Sequence, residues 1–199
     1  MGKIYCIMGK SASGKDTMYK KLMADKELGL RKMVIYTTRP KRAGEIDGET
    51  YYFTDEEGYR RFEAEGKVIE SRLYDTVYGP WRYFTADDGR SDPAKGDHLV
   101  IVTPEAYEKL RDYYGRDTVV PLYLVLDDGE RLQRALDRER KQKEPGYREM
   151  CRRYLADDAD FAPEKLQALG IEDGIDNTDK EEGFLAIKHM ILGADAREA

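Results

Sequence analysis

The chain has 199 residues, of which 40% are hydrophobic and 37% charged, with a net charge of −6. That length supports one domain with a sizeable core, and the acidic balance argues against a general nucleic-acid binder, whose footprint would be basic. No apolar run approaches the roughly 18 residues of a membrane span, and Lys3 leads straight into a strand, so neither secretion nor membrane insertion is expected. Cys6 and Cys151, far apart in the chain, suit reduced thiols in a cytoplasmic protein.

In chain order, Ile4-Tyr5-Cys6-Ile7-Met8 reads as a buried strand, and Met18, Leu22 and Met23 then recur at helical spacing over about Lys15 to Lys26. Between them lies Gly9-Lys10-Ser11-Ala12-Ser13-Gly14-Lys15-Asp16. Strand, glycine loop and helix in that order are the context in which G-x-x-x-x-G-K holds phosphate. The glycines let backbone N–H groups turn inward around an anion, and the helix start adds its positive dipole end. Gly9, Lys10, Ser11, Ala12, Ser13, Gly14, Lys15, Asp16 and Thr17 are therefore the expected ATP-binding loop, with Lys15 reaching the outer phosphates. The Ser or Thr that normally closes this pattern, and whose hydroxyl sits on magnesium, is here Asp16. That carboxylate either takes over the metal or only caps the helix.

Met33-Val34-Ile35-Tyr36-Thr37 is the next expected strand, followed by a Gly/Pro/charge-rich loop to Gly48. Tyr51-Tyr52-Phe53 reads as a short strand, and Thr54 as the cap of a helix whose first turn holds Asp55-Glu56-Glu57. Val68-Ile69-Glu70, Asp75 to Tyr78 and Arg82-Tyr83-Phe84 read as three small strands, and Asp87 to Asp97 as turns. His98 to Val102 is a buried strand closed by the cap Thr103-Pro104. Val119 to Leu126 is another, interrupted by Pro121. From Asp127 a helix carries Leu132, Ala135 and Leu136 on one face and breaks at Lys143 to Gly146. A second helix runs from Tyr147 past Phe161, a weak strand surrounds Ile175-Asp176, and a last helix carries Phe184, Ile187 and Ile191 before a frayed tail from Gly193. Alternating strands and helices predict an α/β fold, a parallel core sheet flanked by helices. The stretch from about Arg39 to Phe84 breaks the alternation as a strand-rich insert.

That insert carries a second constellation. Arg39 and Arg42 flank a turn around Pro40, and guanidinium forks match phosphate oxygens. Tyr51 and Tyr78 offer hydroxyls, and Glu70 is a carboxylate ending an apolar run. A nucleoside monophosphate would use such a set, with the carboxylate on a base that shows adjacent N–H donors, as guanine does. A solvated basic turn with core tyrosines accounts for the spacing equally well.

The run Thr37-Thr38-Arg39-Pro40-Lys41-Arg42-Ala43-Gly44-Glu45-Ile46-Asp47-Gly48-Glu49-Thr50-Tyr51-Tyr52-Phe53 resembles the guanylate kinase signature, T-T-R-x-x-R-x-G-E-x-x-G-x-x-Y-x-F. Val68-Ile69-Glu70 matches that family's guanine-binding glutamate, and Tyr78-Gly79 its tyrosine–glycine pair on the monophosphate. The resemblance implies a P-loop kinase that phosphorylates GMP from ATP with Mg2+, without nucleic-acid or membrane partners. It implies GMP contacts at Arg39, Arg42, Tyr51, Glu70, Tyr78 and Gly79, and a core of residues 1–37, 95–135 and 165–193. The monophosphate-binding insert would span about 38–85 and a helical lid about 136–160. Lys15, Arg42, Arg138 and Arg153 are the expected catalytic cations, and Asn177 falls near the family's adenine-side asparagine; Arg134 and Arg152 read as surface charges. The chain departs from the pattern at Ile35 and Pro80, where relatives have hydroxyls, and at Ile101 and Thr103, where they carry aspartates. Two other readings stay open: a kinase of the same fold acting on another acceptor such as ribose 1,5-bisphosphate, and an interaction module without activity, which an intact phosphate loop disfavours.

Overall fold

The computed structural model describes residues 2–42, 44–76 and 78–193. The first strand, β1 (Ile4–Met8), is buried at every position and lies at the centre of a parallel five-stranded sheet. A strand covered on both faces needs no polar side, which is why it reads as an unbroken apolar run. Ile4, Cys6 and Met8 join one core cluster with Val100, Ala106 and Leu110, and Tyr5 and Ile7 join another with Met18, Leu22 and Ile187. The second cluster is closed by α1 (Lys15–Ala24) and by the final helix, Lys180–Leu192.

Beside β1 run His98–Ile101 on one side and Val119–Val125 on the other, each in parallel register. Arg31–Lys32 and Ile175–Asp176 form the two sheet edges. Pro121 sits inside Val119–Val125 without breaking it. Ile4 N donates to Thr118 O, so alternate residues face β1 and the proline's missing N–H points to the other side. The edge strand there pairs only with Leu124 and Val125, and no ladder bond is lost.

The stretch expected as one strand over Met33–Thr37 is divided. Arg31–Lys32, here β2, belongs to the core sheet, whereas β3 (Tyr36–Thr37) opens a second sheet. Between them Met33 N donates to Leu99 O and Ile35 O accepts from Tyr52 N, so one apolar run passes from one sheet to the other. The second sheet continues with β4 (Tyr52–Phe53), β5 (Val68–Thr76) and β6 (Gly79–Ala86), in the order β4-β3-β6-β5. The separate strands expected at Val68–Glu70 and Asp75–Tyr78 are one strand with a bulge between Val68 and Glu70. Helix α2 (Glu56–Ala64) covers this sheet through Tyr59 and Phe62, which pack on Phe84. Its cap is Asp55, whose Oδ1 accepts from Gly58 N at 2.7 Å, rather than Thr54, whose N–H donates to Thr37 O.

Thr103 caps α3 (Pro104–Tyr114) as expected, its Oγ1 accepting from Ala106 N. After the core strands β7 (His98–Ile101) and β8 (Val119–Val125) comes α4 (Asp128–Arg140), whose inner face keeps the expected Ala135 but takes Arg131 and Glu139 in place of Leu132. Leu132 is 41% exposed and Arg131 only 1%, because the inner face of α4 carries an ion-pair network. Helix α5 (Tyr147–Asp160) stops before Phe161, and a helix the periodicity did not show, α6 (Pro163–Ala168), follows, started by Pro163. The edge strand β9 (Ile175–Asp176) and α7 (Lys180–Leu192) close the chain, and the tail expected to fray beyond Gly193 lies outside the described residues.

Candidate nucleotide site

The loop from Gly9 to Asp16 joins the end of β1 to α1. Its curvature needs left-handed backbone at Ala12 (φ 64) and Gly14 (φ 98), the former being the one non-glycine residue with positive φ among those described. A Cβ on Gly9 would lie 2.7 Å from Leu124 O, so the loop approaches β8 too closely for any side chain there. Gly14 is the N-cap of α1 and supplies no side-chain hydrogen bond. The first-turn N–H groups of α1 thus end in a glycine loop, the arrangement that binds phosphate. Lys15 Nζ lies inside the curve, 2.6 Å from Gly9 O and 2.9 Å from Lys10 O. Burial lowers its pKa; Asp157 and Asp16 oppose that shift, and Arg131 and Arg138 add to it.

Two braces hold the loop. Asn177, following β9 and 1% exposed, donates from Nδ2 to Ser13 O at 2.6 Å. Asn177, expected near the adenine side of the site, is seen here as a buried support of Ser13. On the other side Asp157 of α5 accepts from Ser11 N at 2.7 Å, and Arg131 of α4 donates to Ser11 O at 3.0 Å and to Asp157 at 3.3 Å. Lys10 Nζ pairs with Asp158 at 2.8 Å, so this expected ATP contact is engaged by α5. Sequence reasoning missed Arg131 and Asp157, and the signal was a charged residue on the helix face that should have been apolar.

The insert brings its expected residues together, each already partnered. Arg39 is 4% exposed and donates from Nη1 to Glu45 at 2.7 Å and from Nε to Tyr83 Oη at 3.2 Å, beneath the Tyr51 and Phe53 rings. The Arg39 guanidinium draws the Glu45 carboxyl down to about 2. Arg42 is exposed, its N–H donating to Glu45 Oε2 and its guanidinium 5.9 Å from the Trp81 ring centroid. Tyr78, 81% exposed, stacks on Trp81 with the ring planes 10° apart, and Gly79 follows at φ 105. Burial raises the Tyr51 pKa, and its ring packs against the core cluster that holds Met8, the last residue of β1 before the glycine loop. Glu70 differs most from expectation: it accepts from Thr85 Oγ1 at 2.7 Å and from Arg72 Nε at 3.0 Å.

Arg138 and Arg153 project from facing helices α4 and α5, with side chains 52% and 49% exposed. Arg153 and Arg152 share Glu149, at 2.9 and 2.8 Å, and hold its carboxyl down to about 2. Arg134 lies 4.0 Å from Glu130, the surface pairing expected for it.

Asp16, exposed at the first turn of α1, makes no side-chain hydrogen bond among the described residues, and no cluster of three or more metal-ligating side chains occurs among them. One carboxylate is a fitting protein share for magnesium, which keeps several waters and takes its other ligands from nucleotide phosphates. No helix is long and apolar enough to cross a membrane among the described residues.

Residues 1–82 match the family model described as guanylate kinase. The chain is similar to a guanylate kinase of Symbiobacterium thermophilum, 39% identical over 87 residues, covering 43% of this chain and 41% of that protein. It is also similar to guanylate kinase 2, chloroplastic/mitochondrial, of Oryza sativa subsp. japonica, 31% identical over 134 residues, covering 67% of this chain and 45% of that one. The chain thus spans less than half the length of these two relatives. Its fold is shared with the crystal structure of guanylate kinase from Anaplasma phagocytophilum, at a TM-score of 0.65 and 22% identity over 99% of this chain and 88% of that one. Over its first 82 residues, then, the chain is similar to the guanylate kinase family.

Proposed function

We infer that this protein transfers the terminal phosphoryl group of ATP to GMP, yielding ADP and GDP. The observation that carries the reading is the glycine-capped start of α1 with Lys15 in its curve, joined by an insert that bears Arg39, Arg42 and Tyr51 and packs Tyr51 against the core below that loop. Such a reaction needs positioning and charge neutralisation more than covalent participation by the protein. The N–H groups of Gly9 to Thr17 cradle the donor phosphates, with Lys15 on the outer ones. Arg42, Tyr78 and Gly79 receive the acceptor phosphate, and Arg39 joins them when Glu45 yields one of its bonds. Arg138 and Arg153 close over the transferring group as the α4–α5 hairpin moves in and excludes water. Residues 38–85 act as the acceptor insert, 136–160 as the lid, and the remainder as the core. Magnesium bound with ATP would be held by Asp16 and would neutralise phosphate charge. A reducing, cytoplasmic setting fits Cys6 and Cys151, which are free thiols.

ADP release from ATP-magnesium, with GMP, dGMP, AMP, UMP and ribose 1,5-bisphosphate offered separately, tests the reading. Turnover with GMP and dGMP is expected. Activity confined to the sugar bisphosphate would overturn it, as would the absence of turnover with every acceptor.

A further inference from the structure

A cavity of about 550 Å³ opens between β5, the start of α3 and the end of α5. Arg72, Tyr74, Thr103, Glu105, Asp160 and Lys165 are among its lining residues. Glu70 is not: its side chain is 2% exposed and lies behind Arg72 and Thr85. A ligand entering this cavity meets the guanidinium before the carboxylate. Arg72 is fixed there from two elements, since Nε and Nη2 donate to Glu70 on β5 and Nη1 donates to Thr103 Oγ1 at the cap of α3. Those three bonds leave one N–H on each terminal nitrogen, with the Tyr74 hydroxyl beside the guanidinium as the group a ligand would displace. Burial works against the charge, but Glu70 and Tyr74 together outweigh it and the guanidinium stays protonated.

We propose that Arg72 touches the acceptor base and reads the O6/N7 edge of guanine, while Glu70 is a positioning residue that holds Arg72. The proposal rests on the GMP reading above. Guanine presents two adjacent acceptors on that edge, whereas adenine presents an acceptor beside an amine donor. A guanidinium pairs with the first and is repelled by the second. Arg72 thereby offsets the hydroxyls missing at Ile35 and Pro80, with charge-assisted bonds in place of neutral ones.

The test compares kcat/KM of the unmodified protein for GMP, 7-deaza-GMP, which lacks the N7 acceptor, and IMP, which lacks the exocyclic amine. The value for 7-deaza-GMP should fall roughly ten- to a hundredfold below that for GMP. Arg72→Met should lower turnover of GMP and remove the gap; a purely structural Arg72 would lower both substrates together and keep it. Equal rates with GMP and 7-deaza-GMP, with IMP poor, would return the reading of the base to Glu70 and overturn the proposal. GMP turnover by the unmodified protein keeps the acceptor reading standing in either case, and its absence removes both.

Discussion

On the proposed function, the glycine loop and the insert would meet the same kind of ligand in different ways. The loop offers backbone, its N–H groups aimed by the left-handed residues Ala12 and Gly14. The insert offers side chains, and nearly all of them are already paired: Arg39 with Glu45, Glu70 with Arg72, Arg42 beside Trp81. A backbone site is complete once the loop has its shape. A side-chain site either exchanges internal partners for the ligand, as Arg39 would, or is held in place by them, as Arg72 is, so its selectivity depends on the strength of those internal bonds.

The largest expected effect breaks the loop's support. Asp157→Ala leaves Arg131, 1% exposed, with Asp128 as its remaining carboxylate and frees Ser11 N, so stability should fall by about 3–5 kcal/mol. A denaturant titration against Asp157→Asn, which keeps the bond from Ser11, separates the loop contact from the ion pair. Lys15→Met should reduce kcat about a hundred- to a thousandfold. Because its bonds are to carbonyls of its own loop, circular dichroism and thermal melting should be unchanged.

On the insert side, Glu45→Gln should cost about 1–3 kcal/mol through the weakened bonds to Arg39. Its pH dependence has a definite sign. The folded-state pKa is depressed from 4.5 to about 2, so the stabilisation is fully present above the unfolded value and is lost as pH falls from 4.5 toward 2. The stability difference between the two proteins should be constant above about pH 5.5 and shrink below it; a difference undiminished at pH 2.5 would contradict the ion-pair account.

Asp16→Ser tests the metal. The magnesium concentration for half-maximal rate should rise about tenfold, and an unchanged magnesium titration would reduce Asp16 to a helix-start charge. The smallest effect is expected at Tyr78, which is 81% exposed and stacked only on Trp81. Tyr78→Ala should change stability by less than about 0.5 kcal/mol and show itself as a raised KM for GMP with the KM for ATP unaltered. A raised KM for ATP would place Tyr78 on the wrong side of the site.

Much of the loop half was legible because its signals are local. The strand Ile4–Met8, the glycine spacing and the helix from Lys15 follow from neighbours in the chain, and so does the Thr103–Pro104 cap. The insert was harder to read, since β3 pairs with β4 in parallel and with β6 in antiparallel fashion across long sequence separations. The run Met33–Thr37 gives no sign of the point at which it changes sheets, because both sheets require apolar residues there. The inner face of α4 was misread for a related reason. Burial of Arg131 depends on Asp157, 26 residues later, and no helical period reports such a partner.

By itself the sequence determined the parallel core, the phosphate loop and the kinship of the first 82 residues, since each rests on patterns between near neighbours. Only the tertiary structure decided which charges are free to meet a ligand. It placed Asn177 beneath the loop, joined Asp157 to Ser11 and set Arg72 in front of Glu70. The physical reason is that a charge leaving water takes the nearest partner that folding supplies, and that partner is chosen by the packing of distant segments.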